Sequence, residues 1–326
     1  MKLGKIVMTG QAMPEADQWL REHCEVRSWD QSGNIPRELL FEWLADAEGL
    51  MSVGAKAAKV DEELLAHAPK LRVIAQSSVG YDNVDVAACT RHGIPFGNTP
   101  GVLTETTADL AFLLLLCAAR RIKESVAIVD SGAWTPSADI PLGVDLYGKT
   151  LGIVGMGQIG SAVARRGMAC GLKIIYHNRR RRSPEEEGGA EYVSFEELLH
   201  RSDFIVVLIP LSSESRLMFR REQFTHMKKT AYFINAARGG IVETAALYEA
   251  VRDGVIAGCA LDVTDPEPIP ADHPLLKLPN VLITPHIGSG TTETRNRMAM
   301  LAAENLVLGL EKKPLKTCVN QEVNYR

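Results

Sequence analysis

Gly155, Gly157 and Gly160 follow the apolar run Leu151 to Val154 with the spacing G-x-G-x-x-G, and a stretch rich in alanine and arginine comes next. Such a turn is suited to a pyrophosphate. The first glycine permits a tight turn off a strand, the second lets backbone approach the phosphates, and the third lets the helix pack closely on the sheet. The helix start adds unpaired N–H groups and the positive end of its dipole. A second apolar run, Leu172 to Tyr176, closes the unit, so a motif that is weak alone becomes a dinucleotide site contacted by Gly155, Gly157, Gln158, Ile159 and Gly160. Where an NAD site carries an acid for the ribose 2′-hydroxyl, this chain has Asn178 followed by Arg179, Arg180, Arg181 and Arg182. A guanidinium matches a phosphate in charge and geometry, and an acid would repel it. The expected cofactor is therefore NADP (as NADPH), with NAD as the second choice and Asn178, Arg179 and Arg180 near the ribose. A solvated basic loop is the plainer alternative.

In open α/β sheets, ligands sit beyond the carboxyl ends of strands. Three strand ends carry reactive side chains: Arg238 after AYFINAA, Asp262, Asp265 and Glu267 after VIAGCAL, and His286 after VLITP. Each alone reads equally well as a salt-bridge arginine, a turn acid or a loop histidine, the last being our reading of His273.

The elements that must position these residues follow from the alternation of apolar runs and helical patterns. KIVMTG, a helix near Ala16 to His23, Gly49 to Val53, a helix near Asp61 to His67, LRVIAQSS, a helix from Asp85 to His92 and a strand from Ile94 to Gly97 predict a parallel sheet wrapped by helices. Asn98, Thr99, Pro100 and Gly101 break the pattern and mark a domain crossing. A helix is predicted from about Leu103 to Lys123, so apolar from Leu110 to Ala119 that its own domain or a second subunit must cover it. Further strands are predicted at Asp203 to Ile209, Ala231 to Asn235, Ile256 to Val263 and Val281 to Thr284. A last helix, Thr291 to Leu310, crosses back. The expected fold is α/β, two Rossmann-like domains with doubly wound parallel sheets. Residues 1–98 with 287–326 form a discontinuous, flavodoxin-like substrate domain, and 99–286 the dinucleotide domain.

The 326 residues are 46% hydrophobic with a formal net charge of −4, which suits a globular chain and gives no reason to expect nucleic acid as a partner. The six cysteines are scattered, with no Cys/His spacing for zinc, so no metal is expected. The Leu110 to Ala119 run falls short of the about 20 residues that span a bilayer, and MKLGKIVMTGQAMPE has no secretory core, so the expectation is a cytoplasmic protein without membrane association.

The chain resembles the NAD(P)-dependent D-2-hydroxyacid dehydrogenases, the family that includes glyoxylate and hydroxypyruvate reductases and 2-ketogluconate reductases. The resemblance rests on ordered motifs along nearly the whole chain: VGYDNVD (Val79 to Asp85), TETTAD (Thr104 to Asp109), GKTLGIVGMGQIG, INAARGG (Ile234 to Gly240), ALDVTDPEP (Ala260 to Pro268) and HPLLKLPNVLITPHIGS (His273 to Ser289). It implies reduction of a small 2-keto acid to the D-2-hydroxy acid, with Arg238, Glu267 and His286 as the catalytic set. Arg238 would hold the substrate carboxylate, and His286, beside an acid that favours the protonated ring, would supply the proton. Main-chain groups of Val53, Gly54, Val79 and Gly80 would join Arg238 and His286 at the substrate. Thr104, Ala236, Arg238, Asp262, His286 and Gly288 would join the glycine turn at the cofactor, and the protein would be a homodimer. Alternatives remain. Formate dehydrogenases pair the histidine with Gln, which Glu267 opposes. Dinucleotide-sensing corepressors share the fold but carry extra tails, and a short D-3-phosphoglycerate dehydrogenase would want a second basic cluster in the first domain.

Overall fold

A computed structural model describes residues 2–54 and 57–324, which divide into two compact units, residues 1–103 with 291–326 and residues 104–290. The crossings fall after Leu103 and after Gly290, a few residues beyond the positions expected from the sequence.

The first unit alternates β1 (Lys5–Met8), α1 (Pro14–His23), β2 (Glu25–Ser28), α2 (Arg37–Leu44), β3 (Gly49–Ser52), α3 (Glu62–Ala66), β4 (Val73–Gln76), α4 (Val86–Arg91) and β5 (Phe96–Gly97). All pairings are parallel, in the order β2-β1-β3-β4-β5. That is the flavodoxin-like order. Helices cover both faces: Val73 and Ala75 of β4 join Leu20 of α1 in one apolar cluster, and Ile74 joins Leu40 and Leu64 in the other. Strands buried on both faces read as continuous apolar runs, which is why the sequence shows β3 and β4. It does not show β2, an edge strand reading EVRS and half-exposed, nor α2.

The second unit holds α5 (Thr104–Ala119), α6 (Ile122–Asp130), β6 (Thr150–Val154), α7 (Gln158–Ala169), β7 (Lys173–His177), α8 (Pro184–Glu187), β8 (Glu191–Tyr192), α9 (Phe195–Arg201), β9 (Phe204–Val207), α10 (Arg221–Thr225), β10 (Tyr232–Asn235), α11 (Thr244–Arg252), β11 (Gly258–Leu261) and β12 (Val281–Ile283). Its parallel sheet runs β12-β11-β10-β9-β6-β7-β8, so the winding reverses between β6 and β9. That reversal is where an open α/β sheet leaves a crevice for a dinucleotide. Phe204 and Val206 of β9 pack toward α5 and α7, and Ile205 and Val207 toward α9, α10 and α11.

The helix expected from Leu103 to Lys123 is two helices. Arg121 adopts a left-handed φ of 51°, and the Ala119 carbonyl accepts from Val144 N–H at 2.8 Å instead of from a next turn. The close pass needs a glycine before Val144: a Cβ on Gly143 would lie 2.5 Å from the Ala119 oxygen. The final helix, α12 (Thr292–Leu310), returns to the first unit, where Ala302, Ala303, Leu306 and Leu310 fill the cluster of Val73 and Ala75.

Candidate active site

Each glycine after β6 has a separate steric reason. Gly155 has φ 105°, and a Cβ there would lie 2.7 Å from the carbonyl oxygen of Leu208, the residue just after β9. A Cβ on Gly160 would lie 2.2 Å from the Gly155 oxygen, so α7 can start only with a glycine one turn in. Gly157 differs: its missing Cβ would meet nothing within 4 Å, and no side chain caps the helix it begins. An open position and unpaired helix-start N–H groups between two tight glycines fit a pyrophosphate. Gln158 is exposed there and Ile159 half-buried, and Thr104 Oγ1 lies 3.4 Å from Gln158 Oε1.

The basic segment after β7 is mostly occupied by its own neighbours. Asn178 Oδ1 accepts from Met156 N–H at 2.7 Å, which ties the strand end to the glycine turn. Arg179 pairs with Glu214 at 2.7 Å, and Arg181 with Glu187 at 2.7 Å. Arg182 donates to the Met156 carbonyl at 2.7 Å and to Glu186 at 2.9 Å. Only Arg180 of the four is exposed with no partner among the described residues. The carboxylates that occupy the others lie in α8, one turn ahead in sequence, and beyond β9, and the arginine run itself gives no sign of them.

Arg238, Glu267 and His286 follow β10, β11 and β12, three neighbouring strands, and so share one edge of the sheet. Glu267 Oε1 lies 2.6 Å from His286 Nδ1. Burial pushes the Glu267 carboxyl up, but the His286 hydrogen bond and charge, the Thr264 N–H and the Arg238 charge outweigh it and hold it below its ordinary value. Gly239 lets the chain after Arg238 pass against the Thr264 backbone, since a Cβ there would fall 1.9 Å from the Thr264 oxygen. Asn235 finishes the turn by donating to the Arg238 carbonyl at 2.9 Å.

Asp262 acts on His286 through the backbone. Its buried carboxylate accepts from Thr284 Oγ1 at 2.7 Å and from the N–H groups of Ile287 and Gly288 at 2.8 Å each. Its carbonyl takes the His286 N–H at 3.0 Å. This clamps a turn in which His286 holds a left-handed φ of 53°. Gly288 is there for closeness to Asp262, 3.2 Å from a Cβ to Oδ2. Ala236 is half-buried at the end of β10, its N–H on the Val207 carbonyl. His273 accepts from Leu275 N–H at 3.2 Å and caps a short helix. Sequence reasoning singled out Asp262 but not Thr284, Thr264 or Asn235, whose work depends on turn geometry.

In the first unit, Val53 N–H donates to Thr9 Oγ1 at 3.0 Å. Gly54 has φ 52°, and among the described residues the N–H groups of Gly54, Val79 and Gly80 have no acceptor. The Gly80 carbonyl takes Gln76 Nε2 at 2.8 Å and Ser78 Oγ at 2.7 Å, and the Val79 carbonyl takes Asn98 Nδ2 at 2.9 Å. These bonds fix the carbonyl side of the loop.

Residues 112–288 match the sequence model for the NAD-binding domain of D-isomer-specific 2-hydroxyacid dehydrogenases. The chain belongs to that family. This D-2-hydroxyacid dehydrogenase is 47% identical to a glyoxylate reductase of Korarchaeum cryptofilum (strain OPF8) over 93% of its own length and 92% of the relative's. Its fold superposes on the crystal structure of a glyoxylate reductase from Paecilomyes thermophila with a TM-score of 0.89, at 33% identity over 98% of each chain. An NADPH-dependent glyoxylate/hydroxypyruvate reductase from Sinorhizobium meliloti, in complex with NADP and malonate, gives a TM-score of 0.87 at 31% identity, covering 99% and 98%. The dehydrogenase is thus an oxidoreductase that uses a nicotinamide dinucleotide on a 2-keto or 2-hydroxy acid. Among its described residues no helix is long and apolar enough to cross a membrane.

Proposed function

We propose that this dehydrogenase is an NADPH-preferring reductase of a small 2-keto acid, glyoxylate or hydroxypyruvate in kind, in which His286 donates the proton. The observation that carries the reading is the 2.6 Å pair of Glu267 with His286 Nδ1. With Nδ1 held, Nε2 is the ring atom left to deliver a proton to the substrate oxygen. Glu267, its carboxyl held below the ordinary value, supplies the acceptor that fixes the ring through Nδ1. Arg238 supplies fixed N–H donors for the substrate carboxylate and polarises the neighbouring carbonyl. In the first unit, the N–H groups of Gly54, Val79 and Gly80, which have no acceptor among the described residues, suit a carboxylate. Bound NADPH supplies the hydride. The preference for its 2′-phosphate rests on the absence of an acid at Asn178 and on Arg180, which has no partner among the described residues.

The relatives' names favour glyoxylate, and 2-ketogluconate is the larger alternative. Initial rates with NADPH and separately NADH against glyoxylate, hydroxypyruvate and 2-ketogluconate rank substrate and cofactor together. His286→Ala and Arg238→Ala should each lower kcat/KM by roughly 10²- to 10⁴-fold while the protein still folds and binds cofactor. Near-parental rates in either variant reject its assigned role.

A second copy of the chain is part of this reading. Among the described residues, eight of the ten exposed large apolar side chains, including Leu113, Val126, Val129 and Trp134, lie between residues 113 and 147, which suits a homodimer face on the dinucleotide unit.

A further inference from the structure

Glu196, His200 and His226 each present one ligand atom, and the three atoms all lie within 4.8 Å of one another. We infer that they form a binding site for a borderline divalent cation of the zinc class, which clips α9 to α10 at the amino edge of the dinucleotide sheet.

The topology explains the juxtaposition. α9 leads into β9 and α10 leads toward β10, and these strands are parallel neighbours with Phe204 opposite Tyr232. Both helices lie on the same face, sharing one apolar cluster through Leu198, Leu199 and Phe224. Their carboxyl ends therefore come together where the strands begin, the opposite edge from Arg238, Glu267 and His286. Glu196 and His200 stand one turn apart on α9 and project to one side, with 3.7 Å between Oε1 and Nε2. His226, the residue capping α10, brings its ring to 5.2 Å from that of His200, centroid to centroid.

Two imidazoles and a carboxylate are the donors that zinc-class ions favour, with water able to complete a tetrahedron. Bonds of about 2.0–2.1 Å place tetrahedral ligand atoms about 3.3 Å apart, so closing the site requires only side-chain rotation. Leu198, Leu199 and Phe224 are fully or almost fully buried, so the two backbones are already fixed. Arg201, the neighbouring cation, is held by Glu191 and Glu197 rather than by Glu196. The spacing of cysteines and histidines along the sequence cannot reveal this site, because its third ligand comes from a different helix and none is a cysteine.

The test is a calorimetric titration of the full chain with ZnCl2 in a buffer that does not bind metal. A Cys170→Ser background removes the exposed thiol as a competing ligand. The expected result is one equivalent of zinc whose affinity falls at least tenfold in His200→Ala/His226→Ala, and by less in Glu196→Gln. Zinc should raise the melting temperature of the parent by several degrees and leave that of the double variant unmoved, since a ligand bound only by the folded state stabilises it. Metal-free turnover should be the same in both. No binding to the parent overturns the inference. So does equal zinc affinity in parent and double variant, which would put the metal elsewhere, for instance at the Glu267 and His286 pair.

Discussion

Glu267 is placed to do two things at once, since the bonds that orient His286 also hold the carboxyl below its ordinary value. A carboxyl depressed in the folded state contributes stability that is present above its unfolded value, about 4.3, and is lost as pH falls through the lower folded value. Glu267→Gln should therefore melt below the parent near neutral pH, with the gap closing in acid. Melting curves of both proteins from neutral pH downward test this; a gap independent of pH would mean that the charge of Glu267 is not what stabilises. The discount for solvent is real, as the Glu267 side chain is 41% exposed, and the gap should be modest.

At the scale of elements, the β7 to α8 connection separates two arginines that look equivalent in sequence. Arg180 has no partner among the described residues, whereas Arg182 holds the Met156 carbonyl inside the glycine turn. Arg180→Ala should raise KM for NADPH by about tenfold, as expected for losing one charge-assisted contact, and leave NADH nearly unchanged. Arg182→Ala should weaken both cofactors together, because it loosens the turn that both pyrophosphates use. Equal effects of Arg180→Ala on both cofactors would remove it from the 2′-phosphate.

At the scale of the molecule, the apolar surface between residues 113 and 147 asks for cover that the chain itself does not provide. Val126 is 50% exposed on α6 and Val129 57% exposed one turn away. Sedimentation of the parent at micromolar concentration should report a dimer, and Val126→Asp should shift it toward monomer by placing a charge in a desolvated contact. A parent that sediments as a monomer refutes the dimer.

The sequence by itself determined the family, both parallel sheets and the order of the reactive residues along the chain. Buried parallel strands need unbroken apolar runs, glycine turns need glycine at positions set by sterics, and ligands collect at strand ends, so these features are written locally. Only the tertiary structure decided which groups are already spoken for. Val53 N–H goes to Thr9, Arg179 to Glu214 and the Asp262 carboxylate to the His286 turn, all partners distant in sequence. It also decided where the apolar helix breaks, because the cap that ends α5 comes from Val144, and it joined Glu196 and His200 to His226. Hydrogen bonding and ion pairing at these places depend on distances between elements, and the order of residues along a chain does not carry those distances.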